Sequence, residues 1–170
     1  VQAIQIANVA DSLAAIKALV YEEKKLSAQE LLHALQTNFE DAPLVRTMLL
    51  SKAPKYGNDV QWVDELGAKW ANYFADGLRK YRNGRGGIYQ MGLYTVSAHV
   101  PMGQNVGASA DGRLAGDPLA DGGVSAMYGR DTSGPTALLQ SVARLPFRRA
   151  SNGTLLNMKF LPAFFQTDTG

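Results

Sequence analysis

The stretch "DGRLAGDPLADGG", residues 111–123, decides how the second half of this 170-residue chain folds. It holds three aspartates, four glycines and a proline. Such a composition is typical of a flexible linker, a phosphate-binding loop or an ordered loop of a larger fold. A phosphate-binding loop needs a Lys-Ser/Thr pair and a following helix, and this stretch has neither. An ordered loop or a linker remains.

The sequence around this loop predicts strands. Twelve of the seventeen glycines lie between Gly84 and Gly134. Within that region "GIYQMGLYTVSAHV", residues 87–100, is rich in aromatic and β-branched residues without alternation, which predicts a strand buried on both faces. "TALLQSVARL" after Gly134-Pro135 predicts a helix, and "SNGTLLNMKFL" predicts a second strand over 153–161. "GRGG" at 84–87 opens a strand rather than a helix, which argues against a phosphate site there as well.

The first half of the chain predicts four helices. The first carries an apolar stripe of Val9, Leu13, Ile16 and Val20. "SAQE" at 27–30 is a capping box that begins the second helix, which runs towards Phe39. The third lies between Pro43 and Pro54, and the fourth, capped by Asn58 or Asp59, is long. The apolar side of the fourth helix consists of Val63, Leu66, Trp70, Phe74, Leu78 and Tyr81.

Together these elements predict an α/β fold with a helical part, 1–83, and a strand-loop-helix-strand part, 84–170. Two strands cannot close a sheet, so this arrangement leaves sheet edges and apolar faces without partners. The two predicted strands therefore need partners. We expect the isolated segment to aggregate or assemble, rather than unfold as a monomer in one sharp transition.

Composition excludes several functions. Lys and Arg number 17 against 15 Asp and Glu, with no basic stripe, so no nucleic-acid partner is expected. Arg144, Arg148 and Arg149 are interpreted as a solvated helix end. The absence of cysteine excludes disulfides, thiolate metal sites and cysteine nucleophiles within these residues. No apolar run reaches the length of a membrane span, and no signal peptide is found, which predicts a cytoplasmic protein.

Few residues are candidates for catalysis or for binding a metal or a ligand. His33 and His99 lack partners at ligand spacing, so no metal site is predicted. Ser97 and His99 would point the same way on a strand, but no nucleophile elbow supports a hydrolase. The polar residues Tyr94, Thr95, Ser97 and His99 could line a pocket or be satisfied by neighbouring backbone, and sequence leaves both open. Lys159 is expected to pair with Asp111, Asp117 or Asp121.

Five motifs, in order along the chain, resemble the glycyl radical enzymes. They are "APKYGND" at 53–59, "YTVSAHVPMG" at 94–103, "ADGRLAGDPLADGG" at 110–123, "GRDTSGPTALLQSVARLPF" at 129–147 and "SNGTLLNMKF" at 151–160. The branch with the greatest similarity is that of glycerol/propanediol dehydratases and choline trimethylamine-lyase, and pyruvate formate-lyase is a more distant relative.

The resemblance implies a ten-stranded α/β barrel with two central loops. One loop carries a cysteine and a glutamate, and the other carries a radical glycine in an "RVxGY"-like motif. An activating enzyme that uses S-adenosylmethionine and an iron-sulfur cluster installs the radical. Neither loop motif occurs in this chain, and "QTDTG" around Gly170 does not match the radical motif. The chain is therefore expected to lie between the two loops and to hold no catalytic residue and no cofactor of its own.

The expected role is scaffold and pocket wall. In that role, 111–123 is an ordered connection over the barrel, and Tyr94 and, more weakly, Asn157 are the candidate substrate-binding residues. The expected parent is a lyase, a homodimer, that eliminates water or an amine from a small polyol or amino alcohol. Its expected partners are the activating enzyme and the rest of the barrel, in the cytoplasm or a bacterial microcompartment. The alternatives are a non-catalytic structural or interaction module and a formate acetyltransferase-type C–C lyase.

Overall fold

The computed structural model describes residues 1–160, and its regular structure there is helical. The helices are α1 Ile6–Ala15, α2 Ala28–Gln36, α3 Pro43–Ser51, α4 Gln61–Leu78, α5 His99–Gly103 and α6 Pro135–Ala143. A π-helical segment, Ile16–Glu22, continues α1, and a 3₁₀ turn, Phe147–Arg149, follows α6. The four helices predicted in the first half and the helix after Gly134 are confirmed.

The α1 helix buries an alanine-rich face. Its buried side chains are Ile6, Ala7, Asn8, Ala10, Asp11, Ala14 and Ala15. Leu13, by contrast, is 41% exposed. Small side chains let α1 lie close to α4, where a Cβ on Gly67 would come within 3.0 Å of Ile6 Cγ2. The predicted stripe is therefore confirmed only in part: Ile16 and Val20 pack half-buried against other apolar side chains, whereas the contact of α1 with α4 selects small residues.

The α2 helix begins as its capping box predicts. The Ser27 hydroxyl accepts a hydrogen bond from the Glu30 backbone N–H at 3.1 Å, and Ser27 N–H donates to the Glu30 carboxylate at 2.8 Å. The start of α4 differs from the prediction, because Val60 precedes the helix without a side-chain cap. Asn58 instead binds the 130–133 loop, donating to Arg130 O and accepting from Ser133 N–H.

Three extended segments lie side by side, but residues 1–160 contain no strand longer than an isolated bridge. Gln2 pairs in parallel with Gly92, and Leu93 pairs in parallel with Thr154. The strand predicted over 87–100 ends early, because a turn at 96–98 leads into α5. The strand predicted over 153–161 is likewise reduced to the Thr154 bridge, and residue 161 lies outside the described residues. The α/β prediction is thus confirmed only as extended segments that are embedded among helices.

Arginines that follow α6 bind this part of the chain to α4 and to the residue Asp59 that precedes it. Arg144 Nη1 lies 2.6 Å from Asp59 Oδ1 and 2.8 Å from Asp64 Oδ2. Arg149 pairs with Asp76 and donates to Asn72 Oδ1 at 2.8 Å. The interpretation of these arginines as a solvated helix end is therefore wrong for both residues, although Arg148 is exposed.

The core consists of two apolar clusters. The larger joins α1, α4 and α6 to the extended segments through residues such as Ile6, Val63, Leu93 and Leu138. The smaller lies between α2, α3 and the π-helical segment and includes Leu19 and Leu49. Over residues 1–160, none of the helices combines the length and the apolar character that crossing a membrane requires.

Candidate functional site

The 111–123 loop is ordered around a buried guanidinium. Arg113 is 1% exposed. Its Nη1 donates to Leu114 O and Asp117 O, both at 2.8 Å, and its Nη2 donates to Val106 O at 3.2 Å and to Gly107 O. Because one rigid fork satisfies carbonyls from both sides of the turn, the loop has a fixed shape without helix or strand. A flexible linker is excluded.

Aspartates and glycines hold this loop as the sequence predicts. Asp111 Oδ1 accepts from Arg113 N–H at 3.3 Å, and Asp121 Oδ1 accepts from Gly122 N–H at 2.6 Å. A Cβ at Gly123 would lie 2.1 Å from Leu93 O. The loop backbone thus lies directly against the extended segment that carries Tyr94, an approach open only to glycine.

A groove of about 280 Å³ lies between the end of this loop and the segment 157–159. Its polar lining residues are Asp121, Ser125, Tyr128, Asp131, Asn157 and Lys159. Asn157 N–H donates to Ser125 Oγ at 2.8 Å, which fixes the backbone on one wall. Carboxylate, hydroxyl, amide and ammonium groups together can bind a small polar molecule through several hydrogen bonds.

The two candidate substrate-binding residues have different surroundings. Asn157 is exposed and lines this groove. Tyr94 is half-buried, and its hydroxyl accepts from Asn152 Nδ2 at 3.4 Å. Its ring packs near Gly92 and Gly153, so the Tyr94 side chain lies over the paired extended segments. The contacts of residues 1–160 therefore do not join Tyr94 and Asn157 into one cluster.

Two expectations about titratable residues are wrong. Lys159 is exposed, and its ammonium lies 4.8 Å from the Tyr128 ring centroid, so it needs no buried carboxylate. His99 lies on α5 rather than on a strand, so it does not share a strand face with Ser97. Its Nδ1 lies 3.6 Å from Asp121 Oδ1.

Over residues 1–160, no group of His, Cys, Asp and Glu side chains could hold a metal ion. His33 is exposed, and its Nε2 lies 3.9 Å from Asp41 Oδ2.

A buried cluster of charges was not predicted from the sequence. Asp11 and Asp111 are 0% exposed and lie on either side of Arg130 Nη1, at 3.5 Å and 3.0 Å. Tyr56 N–H donates to Asp11 Oδ1 at 2.7 Å. Burial raises the pKa of Asp11 to about 7 and lowers the pKa of nearby Lys55 to about 8.

One signal could have found this cluster. Asn8 and Asp11 are three residues apart in the alanine-rich "IANVADSLAA" of α1 and therefore share a helical face. Polar residues among alanines on one face indicate a buried polar contact. Assigning the core to the larger side chains of the opposite face concealed it.

Two family models match the chain. The model described as Pyruvate formate lyase-like matches residues 1–103, and the model described as Glycine radical matches residues 120–170. The loop with the buried Arg113 lies largely between the two matched regions.

Individual relatives agree with these models. The probable dehydratase YbiW of Escherichia coli is 40% identical over 98% of this chain. The glycerol-bound B12-independent glycerol dehydratase of Clostridium butyricum is 44% identical over 98% of the chain, with a TM-score of 0.91. A structure concerned with 1,2-propanediol dehydration in Roseburia inulinivorans is 48% identical over 98%, with a TM-score of 0.90.

The chain spans about a fifth of these relatives, covering 21%, 21% and 22% of their respective lengths. The structural neighbours are glycyl radical enzyme barrels, and the described residues form a largely helical part of such a barrel. Family models and structural similarity lead to one assignment: the chain belongs to the pyruvate formate lyase-like family of glycyl radical enzymes.

Proposed function

We propose that this segment belongs to a glycyl radical lyase that eliminates water from a small diol or polyol, or an amine from an amino alcohol. The observation that carries the proposal is the identity of 44% and 48% to the glycerol and 1,2-propanediol dehydratase structures over 98% of the chain. That identity exceeds the 35% to trans-4-hydroxy-L-proline dehydratase, which favours an acyclic diol.

The chemistry of the groove favours a substrate without a negative charge. Among the described residues that line it, two carboxylates face one ammonium, and an amide and hydroxyls complete the lining. A substrate with a free carboxylate or sulfonate would meet like charge from Asp121 and Asp131. A vicinal diol can donate to both carboxylates and accept from Lys159 and Asn157.

Tyr94 and Asn157 are the residues that we assign to the pocket wall. Asn157 presents an amide in the groove. Tyr94 is not among the described residues that line it, and within residues 1–160 its hydroxyl is bound by one donor, Asn152, at 3.4 Å. Each could therefore form a further hydrogen bond to a substrate hydroxyl. Neither residue exchanges a proton or an electron in this proposal, so both bind and orient the substrate.

When present, the glycyl radical would start the reaction by abstracting a hydrogen atom. We place the glycine that carries this radical outside residues 1–160. Within them, a Cβ at Gly122 would lie 2.9 Å from Leu155 O, and one at Gly123 would lie 2.1 Å from Leu93 O. These two glycines are packed against backbone and hold the loop, so they do not fit a carrier that must reach a second residue. The chain's own residues bind substrate and hold the wall.

The remaining assignments are part of the same proposal. Residues 1–170 form one segment of a single barrel domain, with a helical part, 1–83, and a loop-rich part, 84–170. The parent is a homodimer in the cytoplasm or in a microcompartment. An activating enzyme with S-adenosylmethionine and an iron-sulfur cluster installs the radical, and the segment alone does not turn over substrate.

Anaerobic assays of the full-length protein, activated by its activating enzyme, test the proposal. Glycerol, propane-1,2-diol and choline are compared with trans-4-hydroxy-L-proline and isethionate, the compounds named in two further relatives, and with pyruvate plus coenzyme A. We expect an aldehyde and released water from a diol, detected by mass spectrometry. Turnover only of pyruvate with coenzyme A would identify a C–C lyase, and radical formation without turnover of any compound would contradict the proposal.

Variants test the two pocket residues. Tyr94→Phe and Asn157→Ala are each expected to raise KM about tenfold, since each removes one hydrogen bond to a polar substrate. Tyr81→Phe and Asn105→Ala, at exposed positions outside the groove, serve as matched controls. An unchanged KM in both pocket variants would remove these residues from the site without affecting the assignment of the reaction.

A further inference from the structure

A second groove, of about 300 Å³, lies between the C-terminal end of α3 and the loop 129–133. Its polar lining residues are Ser51, Lys55, Asn58, Arg130, Thr132 and Ser133. Among the described residues that line it there is no Asp or Glu. Two cations and three hydroxyl groups thus face the groove without a carboxylate on its surface.

Both cations retain unused hydrogen-bond donors. Lys55 is 7% exposed, and its ammonium, which has three N–H groups, donates to Leu49 O at 2.6 Å. The guanidinium of Arg130 has five N–H groups, and towards residues 1–160 it donates through Nη1 alone. Within residues 1–160, the Nε and Nη2 groups of Arg130 and two N–H groups of Lys55 therefore donate no hydrogen bond.

The carboxylates that balance these cations lie behind the groove. Asp11 and Asp111 have no exposed surface and do not line it. Asp111 binds Arg130 at 3.0 Å, whereas Asp11 lies 3.5 Å from it and has its close bond, 2.7 Å, to Tyr56 N–H. Asp11 is thus the less well compensated of the two acids.

We propose that this groove binds a small oxyanion, with Lys55 and Arg130 as its cationic ligands and the Thr132 and Ser133 hydroxyls at its rim. Carboxylate, sulfate and phosphate share the required chemistry, because each presents several acceptor oxygens to convergent N–H donors. The oxyanion is either a free anion or an acidic side chain from a part of the protein outside residues 1–160. The site adjoins the substrate groove at Gly129, which lines both, but it does not depend on the proposed lyase reaction.

The net charge of the buried cluster, and with it the affinity of the groove for an anion, depends on pH. The groups that face Asp11 are Lys55, Arg130 and Asp111, and burial raises the pKa of Asp11 to about 7. Below that pH Asp11 is neutral and the four groups together are positive. Above it the charges cancel, and Lys55, with a pKa of about 8, begins to lose its proton. Anion affinity should therefore increase as pH falls.

Isothermal titration of the full-length protein with sodium sulfate tests the site, because sulfate keeps its charge over the range in question. We expect binding to be about tenfold tighter at about pH 6 than at about pH 8. Lys55→Met should weaken binding at pH 6 by about tenfold or more. Lys52→Met, which removes an exposed lysine near the same helix end, should change it less than about twofold.

Two further variants keep the test conclusive if Lys55→Met fails to fold. Thr132→Glu adds a carboxylate at the exposed rim, leaves both cations in place and should also weaken sulfate binding about tenfold. Asp11→Asn removes one of the titrating groups and should reduce the dependence of sulfate affinity on pH.

The source of the oxyanion is distinguished by a structure of the full-length protein. Sulfate binding that Lys55→Met and Thr132→Glu both weaken supports a free anion. Absence of sulfate binding, together with an acidic side chain within hydrogen-bond distance of Lys55 Nζ or Arg130, supports an internal carboxylate. Absence of sulfate binding with no acidic group in the groove overturns the proposal.

Discussion

Asp11 and Asp111 are both fully buried acids, and their hydrogen-bond partners make them different. Asp111 accepts from Asn8, Ser109, Arg113 N–H and Arg130 at 2.8, 2.5, 3.3 and 3.0 Å. Among the described residues, Asp11 has one close donor, Tyr56 N–H. An ionised carboxylate in such a site is compensated mainly by donated hydrogen bonds. Asp11 therefore ionises less readily than a solvent-exposed aspartate, and burial raises its pKa to about 7.

This difference predicts how stability depends on pH at Asp11. The unfolded carboxyl titrates near pH 4 and the folded one at about pH 7, so the folded state binds more protons between these values. The contribution of Asp11 to stability therefore falls as pH rises from about 4 to about 7. Lys55, whose pKa burial lowers to about 8, titrates above this interval.

Asp11→Asn, which resembles the protonated acid, should be more stable than the unsubstituted protein, here called the parent, at about pH 8 by a few kcal/mol. The difference should disappear near pH 4. Urea denaturation of the full-length protein at several pH values measures it. Glu40→Gln, at an exposed carboxyl, is the control and should follow the parent at every pH. Parallel pH curves for Asp11→Asn and the parent would show that Asp11 is ionised without penalty.

At Gly123 the 111–123 loop packs directly against the extended segment that contains Leu93 and Tyr94. A Cβ at this position would lie 2.1 Å from Leu93 O and 2.6 Å from Tyr94 Cα, both backbone atoms that cannot move independently. Gly123→Ala is therefore expected to separate the loop from the segment and to cost about 3 kcal/mol or more. The urea denaturation midpoint of the full-length protein measures the loss.

Gly107→Ala is the matched control for this loop. A Cβ there meets no atom of residues 1–160 within 4 Å, and the residue is not among the glycines with positive φ. Its stability should stay within about 1 kcal/mol of the parent, because alanine mainly restricts the unfolded chain. Equal effects of the two substitutions would mean that the loop does not lie against Leu93.

The elements differ in how far the sequence could predict them. The capping box of α2 is a local interaction between Ser27 and Glu30, so the identities of residues three apart in the sequence are enough to predict it. The buried face of α1 depends on the approach of Gly67 from α4, which no local pattern contains. The extent of a strand likewise depends on its partners, so composition predicted extended segments at 92 and 154 but not their shortness.

At the candidate site, too, contacts between neighbouring residues were predictable and contacts between distant residues were not. The turn-forming aspartates were predictable because Asp111 and Asp121 bind backbone N–H groups one or two residues away. The role of Arg130 was not, because its carboxylate partners lie 19 and 119 residues away in the chain. Contacts of that separation follow from the tertiary fold alone.

At the scale of the whole molecule, the regions matched by the two family models form one continuous packing unit within residues 1–160. Tyr56 hydroxyl donates to Val124 O at 2.9 Å, and Arg144 pairs with Asp64. Arg130 joins Asp11 to Asp111. All of these connect residues before 104 or in the loop to residues after 119. The boundary between the regions matched by the two family models therefore does not mark a hinge.

Asn8 is the side chain that best tests this continuity. Its Nδ2 donates to Asp111 Oδ2 and its Oδ1 accepts from Ala120 N–H, both at 2.8 Å and both buried. Asn8→Ala leaves the buried Ala120 N–H without its acceptor, so it should cost about 2 kcal/mol. Because α1 and the loop share this contact, we expect hydrogen exchange in the full-length protein to accelerate both in α1 and around residues 109–124. Asn105→Ala, which removes an exposed bond to Pro101 O, should affect only its own turn. Faster exchange confined to α1 would show that the loop is held independently, and the two matched regions would then be separate units.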